Sequence, residues 1–255
     1  MSRHGAAARE RRRATPAPVL LAVVIAVGPV ACSADEFPAL PGEPVTTFVP
    51  SEPPVQRPSG LSPYGFDAVQ RMAIRIRNVG CGSLSTGSGF AIDATTLITN
   101  KHVVSDAAEL QVSTYDGRDI AVSAASSASI ADLAVVRTEA ELPAYPELAV
   151  TDPVRGDRIT VVGYPQGGRL TVTSGRVIGA TTDPLNENLG EVLVTDAPVE
   201  PGSSGSAVLD AEGRVVGVVC AKNAAGQSYI VPVSTLTALL ADATAFEPTT
   251  PCEST

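Results

Sequence analysis

At 255 residues with 44% apolar side chains, the chain is long enough to build a sizeable core in one or two domains. Trp is absent, aromatics are 4%, and Gly and Pro number 22 and 21, a balance that suits many short strands joined by turns and argues against a helical bundle. The net charge of −9 is uneven: residues 1–31 hold five Arg and one Glu, and subtracting that +4 leaves −13 for the rest, which argues against a nucleic-acid partner.

The basic start (Arg3 to Arg13) runs into thirteen apolar residues, Val19 to Ala31. A membrane-spanning helix needs about 20, so the run reads as the core of a signal peptide over 1–31. It ends Pro29-Val30-Ala31-Cys32. The small residue before Cys resembles a bacterial lipobox, with Cys32 as the lipidated N-terminus, although Pro29 stands where Leu is usual. Signal cleavage near Ala31 or Ala34 and a retained anchor are the alternatives. These readings place the folded part outside the cytoplasm, either on the outer face of the membrane or secreted.

Residues 32–65 read as a stalk. Pro38, Pro41, Pro44, Pro50, Pro53, Pro54, Pro58 and Pro63 deny the segment both helix and ladder hydrogen bonds. A folded domain is expected over 66–255. Ala73-Ile74-Arg75-Ile76-Arg77 alternates apolar and charged residues, the period of a half-buried strand. Further strands are expected at 89–92, 96–99, 109–114, 120–125, 133–137, 158–163, 170–179, 191–195, 207–210, 214–220 and 228–233. Turn signals such as Asp116-Gly117 and Glu212-Gly213 separate them. About a dozen short strands suggest an all-β fold of two small antiparallel barrels. Leu236, Leu239 and Leu240 then fall at helical spacing, predicting a C-terminal helix over 234–243 with Ser234 as its cap.

Three short segments carry chemistry. His102, in Thr99-Asn100-Lys101-His102-Val103-Val104, is the one histidine outside the leader, and its side chain suits proton transfer near neutral pH. Asp132 opens the apolar strand Leu133-Ala134-Val135-Val136; if buried, its carboxylate needs a donor, and an imidazole N–H would serve. Pro201-Gly202-Ser203-Ser204-Gly205-Ser206 brackets serines with two glycines. Such a turn can expose a hydroxyl and converge backbone N–H groups on an oxyanion. Singly, each has a plain structural explanation: a surface histidine, a solvated acid, a Gly/Ser turn.

Together, the order His, Asp, Ser is that of the chymotrypsin clan. Gly87-Ser88-Gly89-Phe90, Asn100-Lys101-His102, Asp132-Leu133-Ala134-Val135-Val136, Gly163-Tyr164-Pro165 and Gly202-Ser203-Ser204-Gly205-Ser206 resemble the trypsin-like serine proteases over roughly 70–243. The set is most similar to bacterial periplasmic heat-shock and acid-resistance proteases. The resemblance implies two six-stranded barrels and a serine endopeptidase with Ser204 as nucleophile, His102 as base and Asp132 as orienting acid. The N–H groups of Gly202 and Ser204 would form the oxyanion hole. Implied partners are protein or peptide substrates of the cell envelope or exterior. No cofactor and no metal site are expected, since one histidine and scattered acids lack ligand spacing.

Ser203 stands where digestive members carry an Asp that pairs with a freshly cut N-terminus, so no activation by such insertion is expected. The pocket for the residue at the cleavage position would be lined by Pro198, Val199 and Cys220. Pro198 falls where trypsin carries its pocket acid, so small or medium apolar residues are expected there, unless Glu200 turns into the cleft and favours basic ones. The positions of Cys81 and Cys252 resemble an actinobacterial membrane-anchored acid-resistance protease family, which implies that these two form a disulfide and leave Cys220 as a packed thiol. Two other functions stay open at this stage: a protease-like binding module with little turnover, and an esterase or acyltransferase using the same triad.

Overall fold

A computed structural model describes residues 67–252 except 186 and 189. The leader, Cys32 and the Pro-rich segment lie outside the described residues. The first half runs α1 (Ala68–Arg71), β1 (Ala73–Gly80), β2 (Leu84–Ala91), β3 (Thr96–Thr99), α2 (Lys101–Val104), β4 (Ala107–Ser113), β5 (Asp119–Ile120), β6 (Val122–Ala128) and β7 (Ala134–Thr138). The second half runs β8 (Arg158–Gly163), a 3-10 turn (Pro165–Gly167), β9 (Thr171–Thr182), β10 (Glu191–Thr195), β11 (Ala207–Leu209), β12 (Val215–Lys222) and β13 (Ser228–Pro232). The helix α3 (Val233–Ala241) and the short strand β14 (Phe246–Pro248) follow.

All strand pairs in the two sheets are antiparallel. β8 to β13 close into a six-stranded barrel in the order β10-β13-β12-β11-β8-β9. The first half differs in detail from a second six-stranded barrel. It is an eight-stranded sheet ordered β14-β6-β7-β3-β2-β1-β4-β5. A C-terminal segment spans the gap between its two sides. Phe246 pairs with Ala128 on β6, the Thr249 N–H donates to the Ala125 carbonyl, and the Cys252 N–H donates to the Ala107 carbonyl beside β4. Cys252 is also bonded to Cys81 in the β1–β2 turn, with Cα atoms 5.9 Å apart.

The strand patterns explain the layers. On β1, Ile74 and Ile76 are fully buried while Arg77 faces solvent, as period-two alternation demands. On β12, Val215 to Cys220 is buried throughout, the signature of a strand covered on both sides. Three apolar clusters result. Ile74, Ile76, Leu97 and Val136 fill the first sheet, and Ile159, Val161, Val208 and Ile230 fill the barrel. Phe90, Ile98, Leu133, Val162, Val218 and Leu236 bind the two halves together. That shared core fixes where the segments bearing His102, Asp132 and Ser204 meet.

The C-terminal helix starts one residue early. Pro232 occupies its N-cap position, and Ser234 lies inside the first turn. The Ser234 N–H and hydroxyl instead donate to the Asp152 carboxylate at 2.8 and 2.6 Å. An acid 82 residues away has taken the role that local capping would give Ser234 itself.

Candidate active site

His102 sits in α2, a single helical turn directly after β3. Buried Val103 and Val104 anchor that turn, so the histidine side chain is left facing outward. Its Nδ1 lies 2.7 Å from Asp132 Oδ2, and its backbone N–H donates to Asp132 Oδ1 at 3.1 Å. One carboxylate thus holds both the ring and the main chain of His102.

Asp132 is itself held. It is only 2% exposed; its N–H donates to Asn188 Oδ1 at 2.9 Å, and its carbonyl accepts from Asn100 Nδ2 at 2.7 Å. A buried carboxylate bonded to Nδ1–H fixes the tautomer that leaves Nε2 free to accept a proton. Burial alone pulls His102 toward its neutral form. The Asp132 hydrogen bond, the Asp132 charge and the Glu187 charge outweigh it and hold the ring above its ordinary value.

The serine loop is shaped by two glycines in the left-handed region, Gly202 at φ +92° and Gly205 at φ +85°. A Cβ at Gly205 would overlap the Ser88 carbonyl and the Thr99 hydroxyl, so the loop presses against β2 and β3. The N–H groups of Ser203, Gly205 and Ser206 donate to Glu200, Val219 and Ser203 carbonyls at 2.9, 2.8 and 3.0 Å. Among the described residues, the N–H groups of Gly202 and Ser204 donate to nothing. Ser88 secures the loop: its N–H donates to the Ser204 carbonyl at 2.7 Å. Its hydroxyl donates to the Gly202 carbonyl at 2.8 Å while accepting the Tyr164 N–H at 2.8 Å. Ser204 is half-buried, and among the described residues no hydrogen bond joins its hydroxyl to the His102 ring.

Pro198 and Val199 line a small cavity of about 140 Å³ with Gly163, Thr173, Glu200 and Ser206. Cys220, named with them from the sequence, does not line this cavity. It is buried, and burial, together with the charges of Asp132, Asp183 and Glu187, pushes its thiol well above the usual range. The Glu200 carboxylate accepts from Lys222 Nζ at 2.7 Å, and Lys222 also donates to the Val199 carbonyl at 3.2 Å. The acid that could have favoured basic substrates is therefore engaged with a lysine.

Two residues escaped the sequence reading. The segment between β9 and β10 brings Asn188 to the Asp132 backbone and Glu187 to the side chains: ligand-type atoms of His102, Asp132 and Glu187 lie within 4.8 Å of one another. These are metal-ligand residue types, and the sequence alone did not place them together. Nδ1 and Oδ2 are in direct hydrogen-bond contact with each other.

Comparison with known proteins agrees with this geometry. The family profile described as a trypsin-like peptidase domain matches residues 87–218. A probable periplasmic serine endoprotease DegP-like of Hahella chejuensis is 35% identical over 136 residues, covering 52% of this chain and 29% of the relative. The putative serine protease HhoA of Synechocystis is 34% identical, covering 58% of this chain and 40% of its own length. The chain therefore spans less than half the length of these curated relatives. Among solved structures, the active form of the Rv3671c protease of M. tuberculosis superposes with a TM-score of 0.64 at 25% identity, covering 72% of this chain and 87% of that one. An HtrA-type protease, AlgW with a tripeptide, gives 0.61 at 26% identity, covering 68% and 60%.

Proposed function

The chain belongs to the trypsin-like peptidase family, and from that premise we propose that it is a serine endopeptidase acting through Ser204, His102 and Asp132. The observation that carries the reading is the His102–Asp132 pair, at 2.7 Å, set beside a serine loop with two N–H groups that donate to nothing among the described residues. Ser204 Oγ attacks the substrate carbonyl while His102 Nε2 removes its proton. Asp132 holds the Nδ1–H and stabilises the ring as it becomes charged. The N–H groups of Gly202 and Ser204 receive the oxyanion. His102 then returns the proton to the leaving amine, and a water repeats the cycle on the acyl-enzyme. The contact between His102 and Ser204 tightens when substrate excludes water, as catalytic hydrogen bonds commonly do.

Substrates are extended peptides with a small or medium apolar residue at the cleavage position. Pro198 and Val199 offer no charge there, and the Lys222–Glu200 pair neutralises the nearest acid. The leader and Cys32 favour export with a lipid tether, and residues 32–65 serve as a stalk ahead of a protease domain over 66–255. Periplasmic serine proteases among the relatives are consistent with export.

A fluorophosphonate probe tests the chemistry. It should label the wild type and not Ser204→Ala, and the variant should lose casein turnover by about 10,000-fold or more. Labelling without casein turnover would instead favour the binding module, and ester turnover without peptide turnover an esterase. Mass spectrometry of the mature N-terminus, with external protease on intact cells, tests the tether; an unmodified terminus beyond Cys32 would remove it.

A further inference from the structure

The segment between β9 and β10 is polar and carries no periodic signal, yet its backbone is tightly organised. The buried carboxylate of Asp183 accepts the N–H groups of Leu185, Glu187 and Asn188 at 3.0, 3.0 and 2.9 Å. It also accepts the Asn188 side-chain amide at 2.8 Å. Asn188 in turn accepts the Asp132 N–H at 2.9 Å. One acid thus gathers the segment, and one amide fastens it to the backbone of the orienting aspartate. Glu187 lies between these two fixtures, so its carboxylate is delivered to the ring of His102 and the carboxylate of Asp132, within 4.8 Å of both.

A second acid beside a buried carboxylate is unfavourable unless something offsets the repulsion. Partial burial and the Asp132 charge push Glu187 up, His102 pulls it down, and Asp183 adds to the push. The offset is the imidazole: with the ring neutral two like charges face each other, and with the ring protonated a cation lies beside both. The charges acting on His102 come from Asp132, on the approach to β7, and from Glu187. Cys220 on β12 remains a neutral thiol, and Asp183 acts on Glu187 from behind.

We infer that Glu187 is a positioning residue for the proposed reaction, a second carboxylate that stabilises the imidazolium formed when Ser204 gives up its proton. This rests on the triad reading, but it adds a group contributed by the barrel to a pair contributed by the first sheet. Since Glu187 is exposed, its effect passes partly through water and is screened by salt.

The test compares wild type, Glu187→Gln and Glu187→Asp on one peptide substrate across pH, at low and at 1 M salt. The wild-type acid limb should stand above the ordinary histidine value. In Glu187→Gln that limb should move to lower pH, so below the wild-type midpoint the variant keeps a larger fraction of its own plateau rate. Glu187→Asp should restore part of the shift, and 1 M salt should shrink it. NMR titration of the His102 ring reads the same displacement without turnover. An acid limb and a ring titration that both stay in place in Glu187→Gln would overturn the inference. Absence of Ser204-dependent turnover in the wild type would instead overturn the triad reading, with the NMR arm still deciding whether Glu187 acts on the ring.

Discussion

The Ser88 hydroxyl donates to the Gly202 carbonyl at 2.8 Å, joining positions 114 residues apart. Ser88 belongs to the first sheet and Gly202 to the loop of the second half, so this hydrogen bond spans the seam at which the site is built. With the Tyr164 N–H received by the same oxygen, one hydroxyl satisfies two buried backbone groups.

Ser88→Ala leaves a buried carbonyl and a buried N–H without partners, at about 1–3 kcal/mol. The loop that presents the Gly202 and Ser204 N–H groups loses its registration. The expected result is a lowered melting temperature and a roughly ten- to hundredfold fall in kcat with little change in KM, smaller than outright loss of an oxyanion donor. Denaturation and steady-state kinetics check both.

Asp183→Asn removes the charge that gathers the β9–β10 segment. Burial raises the Asp183 carboxyl, but the Leu185, Asn188 and Glu187 donors outweigh it and hold it below the usual value. A depressed carboxyl contributes stability that is present above its unfolded value of about 3.9 and is lost as pH falls through the folded value. The variant should therefore melt below the wild type at neutral pH, and the gap should close as the pH is taken below the carboxylate range. A constant gap across pH would contradict the charge-based account.

Breaking the Cys81–Cys252 link by replacing both with Ser reopens a loop closed across 171 positions. The expected cost is about 2–5 kcal/mol, with a melting point lower by roughly 5–15 °C. Calorimetry of the oxidised wild type and the double variant measures it directly.

Cys220 should resist alkylation in the native protein, because the thiolate is the reactive form and burial disfavours it. Iodoacetamide followed by peptide mapping should find Cys220 unmodified until denaturant is added. Labelling in the native state would mean the thiol is reachable from the cleft.

Lys222→Ala should leave the Glu200 carboxylate unpaired beside the Pro198–Val199 wall. Cleavage-site profiling should then show a gain for Lys and Arg at the cleavage position over the apolar preference of the wild type. Strict Lys/Arg cleavage by the wild type itself would refute the apolar pocket.

Much of the fold was legible because it rests on local alternation. Thr96–Thr99, Arg158–Gly163 and Glu191–Thr195 have the same bounds in sequence and structure. The four-residue turn holding His102 was not legible, since a single turn shows no periodicity. β14 was missed for a similar reason: its three residues form a strand only because β6 offers an edge. Glu187 and Asn188 gave no signal at all. They sit in a polar stretch between strands, and their importance arises from an acid at 183 and a backbone N–H at 132, neither visible from local pattern. The same holds for Ser234, whose bonding is decided by Asp152.

The placement of residues 246–252 on the opposite half also orders events during synthesis. The sheet that bears His102 and Asp132 receives its last strand and its covalent clasp from the far end of the chain. A ribosome must therefore deliver the whole barrel before that sheet can be finished. A growing polypeptide that already contains the histidine and aspartate still lacks the strand and the covalent link that complete their sheet, both of which are supplied by residues 246–252.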